Sequence, residues 1–151
     1  MNQAQTYNIY HNSNISVIVP FFNEEQIERN IGILESELKD YFQNYEIILV
    51  SDGSTNITEE RKTSLQNRSE HVRFFHYSKN QGKGYALKYG FEKSHGDFVA
   101  FIDGGMELHP KDIKRFLVLM DIYNADIVIG SKRHAYSKVK YPLHRKILSI
   151  I

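Results

Sequence analysis

Short apolar, β-branched runs alternate with longer stretches of helical spacing from residue 15 to residue 130, and few folds accommodate that order. Ile15–Pro20, Glu46–Val50, Val72–Tyr77, Phe98–Ile102 and Asp126–Gly130 read as buried strands. Glu24–Phe42 carries Ile27, Ile31, Leu34 and Leu38 at helical spacing, followed by Tyr41 and Phe42. Ile57–Asn67 reads as a weaker, more polar helix. Lys83–Ser94 reads as a helix with Leu87, Gly90 and Phe91 on one face. Pro110 opens the next helix, since proline suits a first helical position, and its stripe is Ile113, Phe116, Leu117 and Met120. Strand–helix alternation predicts an α/β chain: a mostly parallel, Rossmann-like sheet flanked by helices. Residues 1–14 read as a polar leader, 15–141 as one core, and 142–151 as the start of a basic amphipathic helix.

Each strand runs into a polar turn. Phe22-Asn23-Glu24-Glu25 follows the first, Ser51-Asp52-Gly53-Ser54 the second, and Asn80-Gln81-Gly82-Lys83-Gly84 the third. Asp103-Gly104-Gly105 follows the fourth and Ser131-Lys132-Arg133 the fifth. Open parallel sheets bind ligands outside the carboxyl ends of their strands, so these turns define one candidate binding rim.

Charge separates along the chain. The formal net charge is only +1, yet residues 127–151 hold six of the 19 basic residues and none of the 18 acidic ones. The near-neutral total and the lack of a reader motif argue against a nucleic-acid partner. The chain has no cysteine, which excludes disulfides and thiolate metal sites and fits a reducing compartment. No apolar run approaches the ~20 residues of a membrane span, and residues 1–14 lack the apolar core of a signal peptide. Pro142–Ile151 mixes basic and apolar residues in a way that suits contact with an anionic membrane surface, or an ordinary surface helix.

Three turns carry chemistry beyond turn formation. Asp52 can accept a hydrogen bond from a nucleobase N–H, although Asp, Gly and Ser also favour plain turns. The glycine-rich loop before Lys83 offers free helix-terminal amides to a phosphate, with the lysine as a point charge. It has neither the P-loop spacing nor the glycine pattern of a dinucleotide fingerprint. Asp103 ends an apolar strand, where a carboxylate is solvated, paired or bound to a hard cation such as Mg²⁺ or Mn²⁺.

Taken in order, these blocks resemble the family 2 glycosyltransferases of GT-A fold, most of all those that load a sugar onto polyprenyl (dolichyl-type) phosphates. Val19-Pro20-Phe21-Phe22-Asn23-Glu24 resembles the family's VPxYNE opening, and Val50-Ser51-Asp52-Gly53-Ser54 its VDDGS turn. Asn80-Gln81-Gly82-Lys83-Gly84 with Ala86, Leu87 and Gly90 is similar to its NxGKGxAxxxG segment. Asp103-Gly104-Gly105 stands where the family has D-x-D, and Gly130-Ser131-Lys132-Arg133 resembles its GSR stretch. Pro142-Leu143-His144-Arg145 with Ser149 resembles an acceptor-phosphate segment. Gly105 replaces the second aspartate of D-x-D, Ser51 replaces the first of the paired aspartates, and Glu107 lies two residues beyond the vacant position.

The resemblance implies an inverting hexosyltransferase that moves a sugar from a UDP- or GDP-sugar to an acceptor, a polyprenyl phosphate. Pro20, Phe22, Glu24 and Asp52 would hold base and ribose, with Lys83 at the phosphates. Asp103 and Arg133 would act on the diphosphate, Asp103 through Mg²⁺ or Mn²⁺. Arg145 and Ser149 would hold the acceptor phosphate. The expected location is cytoplasmic, at the cytoplasmic face of a membrane, with peripheral contact through the C-terminal basic segment. The family's sequence normally continues well past this point, so the resemblance leaves open a truncated core, an inactive variant or a degenerate paralogue. A second reading keeps nucleotide-sugar binding but impairs turnover, because of Gly105.

Overall fold

The computed structural model describes residues 13–106 and 109–131. Four strands, β1 (Asn14–Phe21), β2 (Asn44–Asp52), β3 (Val72–Tyr77) and β4 (Phe98–Phe101), form one sheet in the order β3-β2-β1-β4. All three pairings are parallel. Four helices connect or follow them: α1 (Ile27–Tyr41), α2 (Glu59–Gln66), α3 (Lys83–Phe91) and α4 (Asp112–Tyr123). The parallel α/β architecture expected from the alternation is therefore present.

Strand pleating sorts the sheet residues between two cores. Ile15, Val17, Val19 and Phe21 of β1 join Ile47 and Leu49 of β2 in the larger cluster, beneath α1 and α4. Ile27, Ile31, Leu34 and Leu38 of α1 and Ile113 and Leu117 of α4 close it. Ile18, Ile48 and Val50 face the other way, onto Ala86 of α3. Here α3 lies so close to the sheet that a Cβ on Gly90 would come 2.5 Å from Ile18 Cγ2. The stripe expected on this helix is thus corrected: Ala86 and Gly90 are its buried residues, and Phe91 is exposed. Small residues face the sheet because there is no room for larger ones.

At the amino-terminal end of the sheet, Glu46 joins three segments. It accepts from Ser16 Oγ at 2.6 Å, from Arg73 Nη1 at 2.7 Å and from His95 N–H at 2.7 Å. Burial pushes its carboxyl up, but those donors outweigh burial and hold it below the usual glutamate range.

Two boundaries differ from the sequence reading. α4 begins at Asp112 rather than at Pro110, whose carbonyl accepts from Ile113 N–H in a preceding turn. The strand expected at Asp126–Gly130 does not form within the described residues. Its β-branched residues favour extended backbone, but a strand also needs a ladder partner and cover, and among the described residues Ile127 and Ile129 have neither, at 76% and 81% exposure.

Candidate functional site at the carboxyl rim of the sheet

Strand order reverses between β1 and β4: β2 and β3 lie to one side of β1, and β4 lies on the other. A crevice at such a reversal is where open α/β sheets bind ligands. The expected site residues from β1 and β4 meet there. Pro20 is buried at the end of β1, Phe22 is exposed just beyond it, and Glu24 is half-buried in the following turn. Asp103 follows β4 and is half-exposed.

Helix α1 holds the β4 turn in place. Asn30, buried within the apolar face of α1, donates from Nδ2 to the Gly104 carbonyl at 2.8 Å. Gly104 N–H in turn donates to the Pro20 carbonyl at 3.2 Å. A Cβ on Gly104 would lie 2.7 Å from Phe21 Cβ, so glycine permits this approach. At Gly105 the space is open, and a Cβ there would lie 3.6 Å from Glu24 Oε2. The vacant D-x-D position therefore faces a carboxylate from the β1 turn.

The β1 and β2 turns are pinned together. Asn23, at φ 51°, accepts through Oδ1 from Thr55 N–H at 2.8 Å, and its own N–H donates to Ser54 Oγ at 3.0 Å. Asparagine tolerates this left-handed backbone better than most residues. Arg61 of α2 reaches the same turn, donating to the Glu24 carbonyl at 2.7 Å. Its guanidinium also forks onto Glu28 of α1, at 2.5 and 3.0 Å. That bond to Arg61 holds the Glu28 carboxyl below its ordinary range against partial burial.

Asp52 is the last residue of β2 and is 4% exposed. Its Oδ1 accepts from the Tyr77 hydroxyl at 2.9 Å and from Gln81 N–H at 2.8 Å. Its carbonyl accepts from Asn80 Nδ2 at 2.9 Å. Burial, and then the hydrogen bond to Asp52, push the Tyr77 phenol well above the usual tyrosine range, so it stays a donor. Gly53, at φ 66°, allows the loop to cross: a Cβ there would lie 2.2 Å from Asn80 N.

The glycine-rich loop then runs across the rim from β3 toward β4. Gly82, at φ 91°, starts α3, and Lys83 forms an ion pair with Asp103. One loop thus bonds Asp52 at its near end and Asp103 at its far end. Ser51 points into the larger core, fully buried with His76 Nδ1 3.1 Å from its Oγ, a setting for a neutral side chain.

Pro20, Phe22, Glu24, Asp52, Lys83 and Asp103 therefore share one rim. Glu107, Arg133, Arg145 and Ser149 lie outside the described residues. Sequence reading missed Tyr77, Asn30 and Arg61. Tyr77 reads as a strand aromatic, Asn30 interrupts an apolar stripe, and Arg61 sits on a helix with no apolar pattern.

The glycosyl transferase family 2 pattern matches residues 16–149, and the chain belongs to that family. It is 31% identical over 137 residues to a dolichol-phosphate mannosyltransferase of Pyrococcus furiosus, covering 89% of this chain and 38% of that protein. It is 33% identical over 144 residues to a dolichyl-phosphate beta-glucosyltransferase of Dictyostelium discoideum, covering 88% of this chain and 43% of the relative. The chain thus spans less than half the length of either relative. Among solved structures it resembles the mannosyltransferase PcManGT from Pyrobaculum calidifontis, in complex with GDP-Man and Mn²⁺. That match has a TM-score of 0.54 at 19% identity, over 68% of this chain and 32% of the other. It also resembles GalNAc-T7 with UDP, GalNAc and Mn²⁺, at a TM-score of 0.53 and 21% identity, over 62% and 18%. The fold is of the GT-A type.

Proposed function

We propose that this chain is the nucleotide-sugar-binding part of an inverting glycosyltransferase that transfers a sugar from a nucleoside-diphosphate sugar to a polyprenyl phosphate. The carrying observation is the loop that bonds Asp52 through Gln81 and Asp103 through Lys83. Base and diphosphate would lie along this loop, the base toward Asp52 and the diphosphate toward Asp103, Lys83 and the free amides that open α3. Phe22 offers an exposed ring near the end of β1.

Among the described residues no three acidic or histidine side chains gather for a metal, so a hard divalent cation would rest on few protein oxygens together with those of the diphosphate. Asp103 and Glu24 would hold it, Glu24 facing the position that Gly105 leaves open. Such an ion, when bound, neutralises charge building on the departing diphosphate. Lys83 occupies Asp103 otherwise, and its release would free an ammonium for the phosphates. An acceptor phosphate, with a second pKa of about 6, is already a nucleophile near neutral pH, so the protein's task is positioning and charge stabilisation. Arg133 would add charge at the diphosphate, and Arg145 and Ser149 would bind the acceptor phosphate. The basic segment from Pro142 would make peripheral contact at the cytoplasmic face of a membrane. Among the described residues no helix is long and apolar enough to cross one.

The relatives named for dolichyl-phosphate chemistry support the acceptor class. Gly105 favours a second reading, a binding domain with impaired turnover. Incubation with radiolabelled UDP- or GDP-sugars and a polyprenyl phosphate separates the two. Label in the lipid phase supports transfer, whereas nucleotide binding without lipid label supports the second reading.

A further inference from the structure

Asp52 has one carboxylate oxygen already filled. Oδ1 accepts from the Tyr77 hydroxyl and from Gln81 N–H, which uses both of its lone pairs. Among the described residues no donor reaches Oδ2. Resting on the assignment of Asp52 to the nucleobase, we infer that Tyr77 restricts this carboxylate to a single free oxygen and so selects uracil over guanine.

The two bases differ in how many adjacent donors they present. Uracil presents one ring N–H, at N3, between two carbonyls, and one oxygen satisfies it. Guanine presents N1–H and N2–H side by side, and a carboxylate meets both only by using both oxygens. With Oδ1 filled, one guanine donor is left without an acceptor. Asp52 offers that donor no second acceptor in place of the filled Oδ1, and an unpaired donor at the contact costs binding. Cytosine and adenine present an unprotonated ring nitrogen at the corresponding edge, which opposes a carboxylate lone pair. The donor class is therefore a UDP-sugar.

Tyr77 is placed to hold this arrangement. It lies directly opposite Asp52 in the β2–β3 register. Its ring packs edge-on against Tyr85 and Tyr89, with centroids 5.5 and 5.8 Å away. Tyr77 is a positioning residue, since it acts on the base through Asp52. Removing its hydroxyl alone, as in Tyr77→Phe, returns one lone pair of Oδ1 to the site and keeps the ring packing.

Calorimetric titration of the full chain with UDP, GDP and N3-methyl-UDP, each with Mn²⁺, tests the inference. UDP is expected to bind about tenfold or more tightly than GDP, the cost of one unpaired buried donor. N3-methylation is expected to remove at least as much affinity. Tyr77→Phe is expected to shrink the UDP:GDP ratio several-fold, chiefly by improving GDP. GDP binding as tightly as UDP overturns the base assignment but leaves nucleotide-sugar binding intact. An N3-methyl derivative that binds like UDP, or an unchanged ratio in a folded Tyr77→Phe variant, also overturns it. Failure of both UDP and GDP to bind at millimolar concentration overturns the assignment and the underlying function together.

Discussion

Lys83 and Asp103 carry opposite charges at one rim, and the proposed function gives each a second partner. In the structure they pair with each other, Lys83 largely exposed and Asp103 half-exposed. An exposed pair of this kind contributes at most about 1 kcal/mol to stability, so it exchanges easily for a ligand. Lys83→Met is therefore expected to leave folding unchanged and to weaken UDP binding several-fold. The same variant is expected to bind Mn²⁺ alone more tightly, because Asp103 loses its internal cation. Titration with each probe separately reads both effects. Gly105→Asp is sterically open, since its Cβ would meet Glu24 at ordinary contact distance. A third carboxylate there is expected to raise Mn²⁺ affinity by about tenfold or more, and calorimetry with and without UDP measures it. Asp52, Lys83 and Asp103 were visible in the sequence because polar turns recur after successive apolar strands, although each turn taken alone also reads as plain turn chemistry. Tyr77 was not, because its value lies in the neighbour that sheet register gives it.

At the level of elements, Asn30 of α1 and Glu46 of β2 tie segments together. Asn30 supports the Asp103 turn from within a helix face that otherwise reads as apolar. Asn30→Ala leaves the Gly104 carbonyl unpaired in a buried setting, at a cost of about 1–3 kcal/mol in denaturant unfolding. It is also expected to loosen the turn and lower metal-dependent UDP affinity. Glu46 joins β1, β3 and the segment before β4, and its carboxyl titrates below the ordinary glutamate value when folded. Glu28 is shifted in the same direction. A depressed folded pKa adds stability that is present above the unfolded value of 4.5 and is lost as pH falls through the folded value. Thermal unfolding between pH 7 and pH ~3 is expected to show that loss, with Glu46→Gln less stable at neutral pH and less sensitive to acid. Four of the five expected strands form, because each apolar run has a ladder partner in the sheet. Asp126–Gly130 has the same local chemistry without a ladder partner in the described residues, so local pattern alone overstated it. α2 reads as weak because it has no apolar stripe; it is tied to the fold by the buried Leu65 and by Arg61, whose guanidinium bridges Glu28 and the β1 turn.

Over the whole molecule, the polar turns line the carboxyl end of the parallel sheet, which followed from their place after the apolar runs, whereas the reversal of strand order is seen only in the structure. The sequence pattern did not show that the glycine-rich loop crosses the rim and links the two acidic positions. That link depends on Gly53 letting Asn80 pass and on Asp52 facing the α3 side while Ser51 faces the larger core. In the proposed binding mode, base and diphosphate recognition are joined through one short segment. Disturbing either end is expected to affect both, so Asp52→Asn should weaken the Mn²⁺ dependence of UDP binding as well as the affinity itself. The most direct test of the account is a titration of UDP into wild-type and Asp103→Asn chains, each with and without Mn²⁺. The account predicts that Mn²⁺ tightens UDP binding to the wild type by about tenfold or more, and that Asp103→Asn abolishes the increment while retaining weak, metal-independent binding. An equal Mn²⁺ increment in both chains, or no UDP or GDP binding by the wild type at millimolar concentration, would contradict it.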